Sequence, residues 1–159
     1  IHRAAPHLVS YDPFFYPLDA VLDWNRLYGK RGFLQYQCVL PPDVAKEGMS
    51  RLLQMGLKQG LASFLSVLKV FGAVSSPGLL SFPCPGTTLA MDVPFEGQKT
   101  LDALVKLDAI VAGLGGRLYP AKDARMSAEH FKQFYPMWET FSLYIDPAFS
   151  SSFWRRVTK

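Results

Sequence analysis

The chain has 159 residues, 49% of them apolar and 19% charged, which is enough to bury the core of one domain and too few for two of comfortable size. Seventeen Lys and Arg against 13 Asp and Glu leave a net charge of +4, spread along the chain rather than gathered into a basic stripe, so nucleic acid is not an expected partner. Aromatic residues make up 14% of the chain and 12 prolines interrupt it, the composition of a loop-rich folded domain and not of a disordered one.

Residues 1–30 read as an extended aromatic lead-in, SYDPFFYPLDAV, and then a short helix in DWNRLYG capped by Asp23. Residues 31–123 carry the core. FLQYQCVL alternates so that Leu34, Tyr36, Cys38 and Leu40 share one face and Phe33, Gln35, Gln37 and Val39 the other, the period of a strand. Pro41 and Pro42 end it. From Val44 to Gln59 the spacing turns helical, with Ala45, Met49, Leu52, Leu53 and Gly56 along one side and Gly60 at the stop. Ser63 to Phe71 is β-branched and aromatic enough for a second strand, on which Leu65, Val67, Lys69 and Phe71 share a face. A loop from Gly72 to Pro85 leads to a third strand, Thr87 to Val93, with Leu89, Met91 and Val93 opposite Thr88, Ala90 and Asp92. Leu101 to Leu114 is a second amphipathic helix that Gly115 and Gly116 cap, and Arg117 to Ala121 a fourth strand. Residues 124–159 form a helical extension in which Ser127 caps a helix through Phe134, with Glu129 in its first turn, and a short helix runs from Trp138 to Ile145.

Two strand-helix-strand units in this order predict an α+β, ferredoxin-like split βαβ fold, an antiparallel sheet with both helices on one face. The opposite face then carries Gln35, Gln37, Lys69, Thr88 and Asp92. Cys38 and Cys84 lie far apart without C-x-x-C or metal spacing and read as reduced thiols. The most apolar stretch, 61–74, is broken by Ser63, Ser66, Lys69 and Gly72, and no charged leader precedes an apolar run, so neither a membrane span nor a signal peptide is expected. The cytoplasm is the default location, with peripheral membrane association left open, and Ile1 in place of Met points to a chain that begins mid-protein. No G-x-G-x-x-G, P-loop or G-x-S-x-G occurs, and His2, His7 and His130 lack metal-ligand spacing, so no metal is expected. The glycines of AGLGGRLY end a helix and enter a strand, the reverse of a phosphate-binding turn.

A set of segments carries a family likeness: YPLD at 16, RLYG at 26, GFLQYQCVLP at 32, LKVFG at 68, SFPCPGTTLAMDVP at 81 and GGRLYPAKDARMSAEHF at 115, with IDPAFSSSFWRRV at the end. Together they resemble the C-terminal half of bacterial FAD-linked oxidases of the vanillyl-alcohol oxidase superfamily, the group related to decaprenylphosphoryl-ribose 2′-oxidase and the aldonolactone oxidases. The resemblance implies a substrate (cap) domain of an FAD-dependent oxidoreductase that passes hydride from a sugar or polyol alcohol to flavin. FAD would be held mainly by an N-terminal domain outside this chain, which would be a partner and without which the chain would be inactive. By the same resemblance Tyr119 and Lys122 approach the flavin ring, with Lys122 at its pyrimidine edge to stabilise the negative charge that hydride transfer leaves there. Gln35, Gln37, Lys69, Phe71 and Thr88 would line the substrate pocket. Thr88 and Ala90 stand where the polyprenyl-sugar oxidases carry an amide and a cysteine, a departure that sets the polyprenyl substrate apart from the rest of the likeness. The alternative is a non-catalytic ferredoxin-like ligand-binding or dimerisation module, since this fold hosts many functions and its exposed sheet face suits a homodimer.

Overall fold

The computed structural model describes residues 7–123 and 125–159; residues 1–6 of the expected lead-in and Ala124 of the expected extension lie outside the described residues. In chain order the elements are α1 (Tyr11–Phe15), a 3-10 turn (Trp24–Tyr28), β1 (Phe33–Leu40), α2 (Ala45–Lys58), β2 (Ser66–Phe71), β3 (Gly86–Pro94), α3 (Gln98–Gly113), β4 (Arg117–Leu118), a 3-10 turn (Pro120–Lys122), α4 (Ala128–Phe134), α5 (Trp138–Ser142) and α6 (Ser152–Thr158). The four strands form one antiparallel sheet in the order β2-β3-β1-β4, the arrangement of a split βαβ fold.

Alternation in β1 and β3 sets the two faces of that sheet. Tyr36, Cys38 and Leu40 of β1 and Leu89, Met91 and Val93 of β3 meet Met49 and Leu52 of α2 and Leu104, Leu107 and Val111 of α3 in one core. Burying a side chain of this kind is worth about 1.5–3 kcal/mol, so the pattern decides which face the helices cover. Burial pushes the Cys38 thiol up to about 12, which leaves it a small apolar group at neutral pH. Both cysteines are unpaired thiols. The extension closes the far end of the core, where Phe131, Phe134 and Val157 are buried and Phe153 and Trp154 pack against them.

Several element ends differ from the sequence expectation, each for a local reason. Tyr11–Phe15 is helical rather than extended: Pro13 falls in the first turn, where its missing N–H has no partner to lose, and the Tyr11 and Phe15 rings meet one turn apart, tilted by 36° with centroids 4.6 Å apart. Asp23 makes no side-chain cap to the following turn; it sits at φ +53° and pairs with Arg26 at 3.5 Å instead. Residues 63–65 do not join β2, because the Ser63 hydroxyl donates to the Leu65 carbonyl at 2.6 Å and accepts from the Asp92 N–H at 3.2 Å. α3 begins three residues early, where Thr100 Oγ1 accepts from the Glu96 N–H at 2.9 Å and donates to the Pro94 carbonyl at 3.1 Å. Leu53 is exposed on α2 and Gly48 takes its place in the buried face. α5 stops at Ser142, whose hydroxyl turns back to the Glu139 carbonyl at 2.6 Å.

The difference with consequence is in β4. Tyr119 still donates its N–H to the Gln37 carbonyl at 2.9 Å, but Pro120 has no N–H to continue the ladder, and the chain turns into a 3-10 segment that ends on Lys122. Lys122 therefore stands on a turn beyond the sheet edge and not on a strand.

Candidate functional site

The face away from the helices is polar, as its sequence suggested, but its side chains brace one another. Gln35 lies opposite Asp92, and its Nε2 donates to Asp92 Oδ1 at 3.1 Å. Gln37 Nε2 donates to Thr88 Oγ1, also at 3.1 Å. Thr88 and Asp92 are only 2% and 4% exposed, so this face is open over part of its area. Phe82, from the long loop, covers the Val39 and Thr88 end: its ring stacks on Tyr119 with centroids 4.7 Å apart and meets Phe71 edge-on at 5.9 Å. Lys69 lies 5.0 Å over the Phe71 ring. Thr88, expected on the surface, instead supports Gln37 from below. Phe82 was not anticipated, although an aromatic in a Pro- and Gly-rich loop after a mixed strand is a signal for a cover of this kind.

Asp92 Oδ2 and Tyr28 Oη are both buried without a hydrogen-bond partner. Burial raises the Tyr28 pKa and the charge of Asp92 adds to the effect. Beside them Leu18, Val21, Trp24, Leu27, Tyr28 and Phe64 line an apolar hollow of ≈ 390 Å³.

At the β1 edge, past the short β4, Lys122 and Tyr119 share with Gln35 and Gln37 the lining of a cavity of ≈ 20 Å³, room for about one water molecule, to which Leu34, Tyr36, Leu104 and Arg125 also contribute from the helix side. Four of the residues expected to form the site thus converge, while Lys69 and Phe71 stand two strands away across β3. A cavity this small encloses no substrate, so the chain presents a surface that another surface must complete.

The turn that carries Lys122 is held from behind. Asp123 Oδ1 accepts the Arg125 and Met126 N–H groups at 3.0 and 2.7 Å, and its Oδ2 pairs with Arg156 of α6. Arg125 in turn grips Asp108 of α3 with both arms, at 2.6 and 2.8 Å. Burial works against the Arg125 charge, but the hydrogen bonds and charge of Asp108 outweigh it and leave the Arg125 pKa raised. Burial also lifts the Tyr36 hydroxyl far above its ordinary value, with the thiol of Cys38 and then Asp108 adding to the shift. His130 Nδ1 completes the group at 4.0 Å from Asp108. Among the described residues, no cluster of His, Cys, Asp and Glu is placed to hold a metal, and no helix is long and apolar enough to cross a membrane.

No family model matches the chain. Over most of its length the chain is similar to the FAD-linked oxidases. In particular, it is 40% identical over 149 residues to decaprenylphosphoryl-beta-D-ribose oxidase of Mycolicibacterium smegmatis (strain ATCC 700084 / mc(2)155), a match that covers 91% of this chain and 32% of that protein. It is also 32% identical over 143 residues to an uncharacterized protein in the mprA 5′ region of Streptomyces coelicolor, covering 86% of this chain and 38% of the other. The chain therefore spans about a third of the length of the curated relatives it matches.

Proposed function

We propose that this chain is the substrate-side domain of an FAD-dependent oxidoreductase that oxidises an alcohol of a sugar or polyol. The observation that carries the reading is the convergence of Lys122, Tyr119, Gln35 and Gln37 at one sheet edge, on a surface that closes around nothing by itself. Lys122 forms no salt bridge among the described residues, since the neighbouring Asp123 is turned toward Arg156 and two backbone amides. An ammonium on the turn that follows Tyr119, whose ring stacks on Phe82, fits a flat, electron-accepting ring system. When bound, flavin supplies the two-electron acceptor for the alcohol carbon.

The chain's own residues orient the reactants. Lys122 offers positive charge where negative charge grows during hydride arrival, and the amides of Gln35 and Gln37, already held by Asp92 and Thr88, offer preset hydrogen-bonding groups to hydroxyls. Lys69 over Phe71 adds a cation on an apolar wall, suited to an oxygen-rich substrate. Thr88 acts through Gln37.

In the full-length protein that carries this chain, Lys122→Ala is expected to slow substrate-driven flavin reduction by about 10²–10³-fold while most of the FAD stays bound. Stopped-flow absorbance and the flavin content of the purified variant measure the two. Unchanged reduction kinetics overturn the role of Lys122. A purified protein without flavin favours the non-catalytic module.

A further inference from the structure

We infer that Asp123 and Arg156 are positioning residues for Lys122, and that α6 thereby sets the charge presented at the sheet edge; the inference rests on the role of Lys122 proposed above. Lys122 and Asp123 are neighbours in sequence, and a free carboxylate there would compete for the ammonium. The Asp123 side chain is only 5% exposed, and both its oxygens are committed inward: Oδ1 to the N–H groups of Arg125 and Met126, Oδ2 to Arg156. Lys122, Arg125 and Arg156 against Asp108 and Asp123 leave one positive charge, and Lys122 is the member of the group without an acidic partner.

Arg156 reaches this place from 33 residues further along the chain. Its helix is fixed by the burial of Val157, by Phe153 and Trp154 set edge-on to Phe131, and by the Arg156 guanidinium lying 5.6 Å over the Phe153 ring. A pair that served stability alone has no need to end on the residue beside Lys122. Removal of Arg156 leaves the Asp123 carboxylate without its cationic partner, held only by the two N–H groups at Oδ1, so Oδ2 turns toward Lys122 or its charge cancels much of the field that Lys122 projects.

The test uses the full-length protein with Arg156→Ala, Arg156→Lys and Lys122→Ala, alone and combined, each checked for an unchanged unfolding midpoint. Two quantities are read: the rate of tryptic cleavage after Lys122 under native conditions, and the rate of flavin reduction. Arg156→Ala is expected to speed cleavage at Lys122 and slow reduction by about tenfold, and Arg156→Lys to restore most of both. In the Lys122→Ala background the same change is expected to alter reduction by less than about twofold, the non-additivity of residues that act through one another. An equal effect with and without Lys122, or unaltered cleavage at Lys122, overturns the inference. If Arg156→Ala fails to fold, Arg156→Gln replaces it. A protein without flavin sinks the earlier reading, and protection of Lys122 from trypsin then decides whether α6 positions it.

Discussion

Asp108 shows what one ionised side chain demands of its surroundings. It is 1% exposed in the middle of α3, and a carboxylate there is tolerable only because Arg125 meets both its oxygens. Arg125→Met leaves that charge buried and unpaired, and is expected to cost about 3–5 kcal/mol of stability in urea unfolding. Replacing Asp108 with Leu in the same protein is expected to recover part of the loss, because the pair is worth less than the penalty for breaking it. The position was legible in principle: Asp108 falls between Leu104, Leu107 and Val111 on the apolar stripe, and an acidic residue on a core-facing stripe calls for a cation. Its partner was not, because Arg125 lies in a loop with no period to orient it. Lys122 presents the opposite case, since residue patterning alone left it a strand-end lysine and only the motif RLYPAKD singled it out.

The elements of the core were legible because their patterns are long and of one kind. Eight alternating residues fix the two faces of β1, and fourteen at helical spacing fix the buried side of α2. Their ends were not, since single side-chain hydrogen bonds decide them, from Ser63, Thr100 and Ser142. α6 escaped notice for a related reason: its seven residues are too few to display a period, and its cap, Ser151 accepting the Trp154 N–H at 3.0 Å, sits in a run of three serines. The glycines after α3 show how tightly such an end is built. Gly115 takes φ +67°, which lets Gly116 donate its N–H back to the Val111 carbonyl at 2.9 Å. A Cβ at position 116 would then lie 2.5 Å from the Val39 carbonyl oxygen, which cannot retreat because Val39 pairs with Arg117 in the sheet. Gly116→Ala is thus expected to cost about 1–3 kcal/mol and to loosen the two-residue β4, seen as a lower melting temperature together with faster tryptic cleavage at Lys122. A fall in stability without change at Lys122 would mean that β4 does not hold the turn.

At the scale of the molecule, the apolar surface is distributed like that of a domain meant to be covered. α2 and α3 lie over β1 and β3 but leave β2 bare, so that Leu68 and Val70 are 55% and 77% exposed on the helix side while Val67 is exposed on the other face. β2 is also an edge strand, with one row of backbone N–H and C=O groups unpaired. Phe14, Phe15 and Leu22 of the lead-in add further exposed apolar area. Such surface is rare on an isolated soluble domain, and under the proposed reading the remaining two-thirds of the protein covers it. The chain alone is accordingly expected to bind a hydrophobic dye and to self-associate in sedimentation velocity. Leu68→Lys with Val70→Lys places two charges along the bare strand, which should shift the isolated chain toward monomer without lowering its melting temperature, because neither side chain belongs to the core. Joined to the rest of the protein, the unaltered chain should lose both dye binding and self-association. A lone chain that stays monomeric and dark to the dye would show instead that the domain tolerates this surface in water, and that β2 is not where a second domain or a second copy docks.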